Sequence, residues 1–366
     1  MTTPSAGRRS WAILGAGMLG LTLAWRLAQR GCAVTVIEAA PVLGGLTASH
    51  AWDGCTWDRY YHVISAHDRE LLGLLAELGL EREVQWRATR TLFFDGNGRY
   101  PLDDAVDYLR LPALPMSAKL RIALNIVYGS RLRAGTALEQ QRAEDWLCAW
   151  SGRTGYERLW RPLLRAKLGA NHELASAAYI WSVIRRFYGA REGARRTEKF
   201  GFVPGGYARI IATLGAALER SGVVLRTAAP VHRIAPCADR RVRVMLDDGE
   251  HAFEQVVATF ASPLALTLCS DLGAEERVRH AALRYQGVVC LSLLLARPLG
   301  GAYMSYITDP LIPFTTIIEM SALTGTAATA GYHLVYLPKY VPSDDPLLCA
   351  DPEAIRAEFS AGLARL

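Results

Sequence analysis

Trp11-Ala-Ile-Leu-Gly-Ala-Gly-Met-Leu-Gly20 opens the stretch that decides the fold, and Ala33-Val-Thr-Val-Ile-Glu38 closes it. Four apolar residues without a polar break read as a short buried strand, and Met18 to Gln29 as an apolar helix. Gly15, Gly17 and Gly20 stand between and just inside them. In that context Gly15 permits the tight turn, Gly17 lets backbone approach a pyrophosphate, and Gly20 lets the helix pack close to the strand. The phosphates would then rest on helix N–H groups that have no acceptor of their own. The second buried strand ends in Glu38, 18 residues past Gly20, where a carboxylate can accept from both ribose hydroxyls and disfavours a 2′-phosphate. Strand, glycines, helix, strand and terminal acid together predict a dinucleotide site. The plainer alternative is a glycine-rich packing turn without a ligand.

The residues beyond separate one dinucleotide from another. Pro41 to Leu46 ends in Gly44-Gly45-Leu46, followed by Asp53-Gly54 and by Asp58-Arg59-Tyr60-Tyr61-His62. In these motifs the chain resembles the flavin amine-oxidase superfamily, which also takes in protoporphyrinogen oxidases, carotenoid-type desaturases and UDP-galactopyranose mutases. The resemblance implies FAD as cofactor and a Gly-Gly-Arg turn against its phosphates. Leu46 stands where that arginine would be, leaving the backbone N–H groups of Gly44 and Gly45 to serve. A second piece is Phe202-Val-Pro-Gly-Gly206-Tyr207, followed by a helix to Ser221, a strand at Val223 to Arg226, and Pro230-Val231-His232. By resemblance this is the return of the chain to the FAD domain, with Val231 lending its backbone to the adenine; Val256 to Pro263 matches a later strand and turn.

Three residues are candidates for the chemistry. By resemblance the His62 segment runs beside the flavin, where an imidazole could donate to the ring or exchange a proton, and Tyr61 would help shape the cavity. The ordinary alternative for His62 is a hydrogen-bonded core histidine. Lys167, within Leu163-Leu-Arg-Ala-Lys-Leu-Gly169, is set among apolar residues and could be buried with a depressed pKa, against the commoner outcome of a surface lysine. Tyr336, Lys339 and Tyr340 form an aromatic-basic segment that could line the substrate side. There is no Ser-His-Asp signature, no H-E-x-x-H and no phosphate-binding lysine loop, so hydrolase, metalloenzyme and kinase chemistry lack support.

Composition bounds the rest. The 366 residues, 51% of them hydrophobic, suffice for two cores. The net charge of +6 is uneven, with roughly +7 carried by residues 101 to 200 alone. No recognition motif accompanies it, so a solvated helical face is expected rather than nucleic acid. The seven cysteines, Cys32, Cys55, Cys148, Cys237, Cys269, Cys290 and Cys349, form no CxxC pair; neither a metal site nor a disulfide framework is signalled, and reduced thiols in a cytoplasm fit best. Arg8-Arg9 before the apolar run Trp11 to Trp25 imitates an export signal, but the glycines inside that run explain it better. No stretch reaches the length of a spanning helix. Met116 to Arg133, with apolar Leu120, Leu124 and Val127 on one face and Lys119, Arg121, Arg131 and Arg133 elsewhere, fits a packed surface helix with that face inward, or an interfacial helix giving peripheral membrane contact.

The fold class expected is α/β: a Rossmann-type FAD-binding domain at 1–90 and 200–265, interleaved with a mainly helical subdomain at 91–199, a substrate-domain sheet at 266–345 and a terminal helix at 346–366. A hairpin turn is expected at Asp95-Gly-Asn-Gly98. No glycine-rich segment of the kind that closes over FAD in the superfamily follows Tyr340, and a truncated chain and a natural loss both fit that ending. The function expected is hydride transfer from a C–C or C–N bond of an apolar, lipid-like or amine-bearing small molecule to FAD. The alternatives are a mutase-like flavoprotein acting on a sugar nucleotide, and a non-catalytic dinucleotide-binding remnant.

Overall fold

In the computed structural model the residues described are 9–96, 98–189, 191–192 and 197–366. Arg8, Asn97 of the expected hairpin turn and residues 193–196 of the basic stretch lie outside them. The chain divides into two units, one of residues 1–62, 74–83 and 203–284, the other of residues 63–73, 84–202 and 285–366.

The first unit is built on a four-stranded parallel sheet ordered Val224–Arg226, Ala33–Ile37, Ser10–Leu14, Gln255–Ala258. Because side chains alternate across a strand, Ser10–Leu14 serves two cores at once. Ile13 packs with Val34, Val36 and Leu214 against the helices Met18–Gln29 and Gly206–Arg220. Ala12 and Leu14 face the opposite way, with Ile37 of their own sheet, meeting Val244 and Leu246 of a three-stranded antiparallel sheet, Arg233–Pro236, Val242–Leu246 and Gly249–Phe253. Both faces are covered, which is why these strands read as continuous apolar runs. The arrangement is the expected Rossmann-type one.

The second unit has a six-stranded sheet ordered Gln286–Leu295, His333–Pro342, Thr316–Glu319, Met304–Ile307, Thr91–Phe94, Arg99–Pro101. Phe93 packs on Leu111, Leu114, Ala118, Ile122 and Leu159 from the helical stretch. Val335, Leu337 and Ile307 pack with Phe314 and with Phe359 of the terminal helix Pro352–Ala364. The helices Ala143–Gly155 and Ala177–Gly189 meet through Trp146, Leu147, Ile180 and Ile184.

One helix does not take the packed orientation, one of the two arrangements its pattern allows. Met116–Arg131 buries Ala118, Lys119, Ile122, Asn125 and Gly129, while Leu120 and Leu124, which the packed arrangement would turn inward, are 58% and 62% exposed. Close backbone approach decides the orientation. A Cβ on Gly129 would lie 3.3 Å from Ile184 Cδ1, and one on Gly155 would lie 3.2 Å from Ile122 Cδ1, so the small residues mark the packed side. Lys119 is tolerated there because its Nζ donates to the Leu109 carbonyl at 2.6 Å, near the end of the helix Ala105–Arg110, where carbonyls lack intrahelical partners. Denaturant unfolding should register this: Leu120→Ala is expected to change stability by less than about 0.5 kcal/mol, and Ile122→Ala to cost about 2–5 kcal/mol. The reverse ranking would mean that the helix is turned as its leucines suggest.

Candidate nucleotide-binding site

The three glycines of the opening turn differ in what surrounds them. A Cβ on Gly20 would lie 2.0 Å from the Gly15 carbonyl oxygen, and one on Gly15, where φ is +106°, would lie 2.6 Å from Thr259 Oγ1. Those two glycines let helix and strand approach. Around Gly17 a Cβ would meet nothing within 4 Å, so the turn is open where a ligand's phosphates would approach. Gly17 is also the helix N-cap and supplies no side-chain acceptor, so the first-turn N–H groups keep their capacity for an anion.

Other elements converge on this turn. The Thr259 hydroxyl, just past the strand Gln255–Ala258, donates to the carbonyls of Leu14 and Gly15 at 2.9 and 3.2 Å. Glu38 points at the turn: its Oε2 accepts from the Ala16 N–H at 2.7 Å and its Oε1 from the Ala40 N–H at 2.8 Å. The Gly44 N–H donates to the Ala16 carbonyl at 2.8 Å, and a Cβ on Gly45 would lie 3.1 Å from Gly17 Cα. Leu46 is 71% exposed. The Ala229 N–H donates to the Glu38 carbonyl at 2.9 Å, which brings the 229–232 segment alongside. Val231 is half-buried against the core that includes Leu14 and Ile37. Gly15, Gly17, Gly20, Glu38, Gly44 and Gly45 are therefore gathered at one place, with Val231 on the adjoining segment.

A second feature of the same unit escaped the sequence. Asp58, at the end of the strand Cys55–Asp58, is buried, and its Oδ1 accepts from the Tyr207 N–H at 2.9 Å, at the amino end of the helix Gly206–Arg220. A Cβ on Gly206, with φ +66°, would lie 2.8 Å from the same oxygen, so the glycine admits the carboxyl. Burial raises its pKa to about 7, against the opposing pull of the Tyr207 and Ala208 N–H groups. No local pattern links residues 58 and 207, so only the tertiary structure could reveal the pair.

His62 lies four residues on. Its ring centroid is 5.0 Å from that of Tyr207, burial lowers its pKa against the opposing pull of the Tyr60 backbone, and its buried Nδ1 makes no well-formed hydrogen bond. It is thus not the fully satisfied core histidine of the ordinary alternative. Tyr61 is half-buried beside it in sequence. Lys167 belongs to the second unit and is exposed, the commoner of the two outcomes open to it: the apolar neighbours Leu164 and Ala166 turn inward on the helix Arg161–Leu168, and the lysine turns out. Its Nζ donates to the Tyr340 hydroxyl at 2.8 Å. Burial pushes the nearby Tyr179 hydroxyl up, with Tyr340 adding to it. Lys167 and Tyr340, named separately from the sequence, are therefore neighbours.

The residues at the first turn fit a dinucleotide: an open glycine, an uncapped helix end, an inward-facing acid and, in the same unit, an imidazole nitrogen with no well-formed hydrogen bond. Gly17→Ala should keep its unfolding midpoint, since the backbone there is extended and the added Cβ meets nothing, yet nucleotide affinity should fall by at least about tenfold; Gly20→Ala should fail to fold stably. For Asp58 the sign is set by the raised pKa. Its stabilisation is complete below the ordinary carboxylate range and is lost as pH rises through about 7. Asp58→Asn retains an acceptor oxygen without the charge, so its thermal midpoint should overtake the parent's as pH rises from about 5 to 8. Parallel pH profiles would place the ionisation elsewhere.

Comparison with known proteins gives this geometry a family. The family profile described as flavin containing amine oxidoreductase matches residues 19–357. The mitochondrial protoporphyrinogen oxidase of Nicotiana tabacum is 23% identical over 209 residues, covering 53% of this chain and 42% of that enzyme. Putrescine oxidase of Kocuria rosea is 35% identical over 94 residues, covering 26% of this chain and 20% of its own length. The matched segments thus span less than half of either relative. Among solved structures, an oxidoreductase from Methanosarcina mazei superposes with a TM-score of 0.74 at 19% identity, covering 97% of this chain and 83% of that one, and so shares the fold. With a profile match across most of its length and the dinucleotide turn in place, the chain belongs to the flavin containing amine oxidoreductase family.

Proposed function

We propose that the first unit holds FAD and that the protein oxidises a C–C or C–N bond of a small-molecule substrate. The observation that carries this is the conjunction at the first turn: open space at Gly17 and a Glu38 carboxylate turned toward Ala16. Glu38 would exchange its Ala16 contact for the ribose hydroxyls. The N–H groups at the start of Met18–Gln29 would take the pyrophosphate, with Gly44 and Gly45 closing its other side, and the backbone at Val231 would meet the adenine. A bound flavin supplies hydride acceptance, which needs no protein nucleophile.

The protein's own residues then have limited roles. His62, held toward the neutral form by burial, offers an Nδ1 with no well-formed hydrogen bond and can hold or pass a proton at that atom. Tyr61 would help wall the cavity. Lys167 and Tyr340, joined at 2.8 Å, would orient a polar group of a substrate. The relatives' names frame the substrate classes to try: a diamine, as for putrescine oxidase, or a porphyrinogen, as for protoporphyrinogen oxidase.

Purified protein is expected to be yellow, to release FAD rather than FMN on denaturation, and to bleach anaerobically with a member of one of these classes. Glu38→Gln should weaken FAD retention by about tenfold or more. Colourless protein that takes up only NAD would overturn the cofactor assignment. Bound FAD that neither a diamine nor a porphyrinogen bleaches would leave the cofactor standing and overturn both substrate classes.

A further inference from the structure

The helix Met116–Arg131 carries its apolar side outward. Met116, Leu120, Leu124 and Tyr128 follow one another at every fourth residue and are 57%, 58%, 62% and 41% exposed, with Ala123 exposed and Val127 half-buried on the same side. At 1.5 Å per residue the row is about 18 Å long. Opposite it lie Ala118, Lys119, Ile122, Asn125 and Gly129, all buried. A helix placed between a protein core and water ordinarily has the reverse arrangement, with lysine and asparagine out and leucine in.

The margins of this row are basic and aromatic. Arg121, Arg131 and Arg133 are exposed on or just beyond the helix, as is Arg110 at the end of the preceding helix. Among the described residues none of the four pairs with a carboxylate. Arg121 is held in place by the carbonyls of Ala149 and Trp150 at 2.8 and 3.0 Å. Tyr128 stacks on Trp150 with centroids 4.4 Å apart and planes 23° apart, an amphipathic aromatic pair at the edge of the row. Val106 and Leu109 on the preceding helix are a further 51% and 45% exposed.

We infer that this helix lies on a membrane surface, its leucine row in the acyl boundary and its arginines among anionic headgroups. An apolar stripe flanked by unpaired cations is the chemistry that such an interface recognises, and arginines and aromatic rings are the side chains that settle at headgroup depth. No described helix is long and apolar enough to cross a membrane, so the contact is by one face. It does not depend on the cofactor assignment, because it uses none of those residues.

Vesicle flotation with the full chain tests it, using vesicles of phosphatidylcholine alone and of phosphatidylcholine mixed with phosphatidylglycerol. The chain should float with the mixed vesicles at low salt and much less with phosphatidylcholine. The double variant Leu120→Gln, Leu124→Gln should lose about tenfold or more in partitioning while keeping its far-ultraviolet circular dichroism. Arg131→Gln with Arg133→Gln should remove most of the preference for phosphatidylglycerol. Failure of the parent chain to float, or floating that ignores all four substitutions, overturns the assignment. So does self-association in light scattering that the leucine variant abolishes without any vesicle binding, which would give the face to a second copy of the chain.

Discussion

The carbonyl oxygen of Gly15 admits no side chain at Gly20, where a Cβ would come within 2.0 Å, and much of the first unit follows from that close approach. It lets the helix Met18–Gln29 lie against the strand Ser10–Leu14, which sets the helix's amino end at the carboxyl edge of the sheet. Open α/β sheets bind ligands at that edge. The neighbouring strands contribute from both sides: Ala33–Ile37 delivers Glu38 to the Ala16 N–H, and Gln255–Ala258 delivers the Thr259 hydroxyl to the Leu14 and Gly15 carbonyls. A turn tied at so many points keeps its shape without a ligand, so an anion bound there would meet preorganised N–H groups and less entropy would be lost on binding.

Asp58 and His62, near the second helix of that unit, are both displaced toward their uncharged forms. Asp58 is pushed toward its protonated form and His62 toward its neutral form, both mainly by burial. Two groups of opposite charge type thus lean toward neutrality in one neighbourhood, the effect of a low-dielectric setting rather than of a specific ion partner. Such a setting suits chemistry in which an electron pair moves and water must be kept out. The helix amino end at Tyr207 partly offsets the cost of burying Asp58, because its N–H donates to the carboxyl as it would to a capping side chain.

What could be seen in the sequence was whatever is encoded locally. The strand at Ala33–Ile37 and the helix at Met18–Gln29 have the bounds that their apolar runs predicted, because both ends are marked by glycine and charge. The hairpin strands Thr91–Phe94 and Arg99–Pro101 were equally legible. Hidden were the pairings across long separations: Asp58 with Tyr207, Lys167 with Tyr340, and Thr259 with the first turn. Each joins residues that no periodicity connects. Lys167 also shows a limit of composition, since apolar neighbours in sequence lie on other faces of the helix and leave the lysine on its outer side, against Tyr340.

Met116–Arg131 shows a different limit. Periodicity reveals that a helix has an apolar side but not that this side faces the core, because a second side of small residues can pack more closely. Here Ala118, Gly129 and the neighbouring Gly155 provide that side. In water the choice is costly. Leaving a leucine exposed forgoes about 1.5–3 kcal/mol of burial. Asn125, fully buried with neither side-chain polar atom hydrogen-bonded, costs about 1–3 kcal/mol more. Close packing of the opposite face must offset these terms for the unit to fold at all. A nonaqueous neighbour over Leu120 and Leu124 would recover the first of them, so the orientation is more stable at an interface than in bulk solvent.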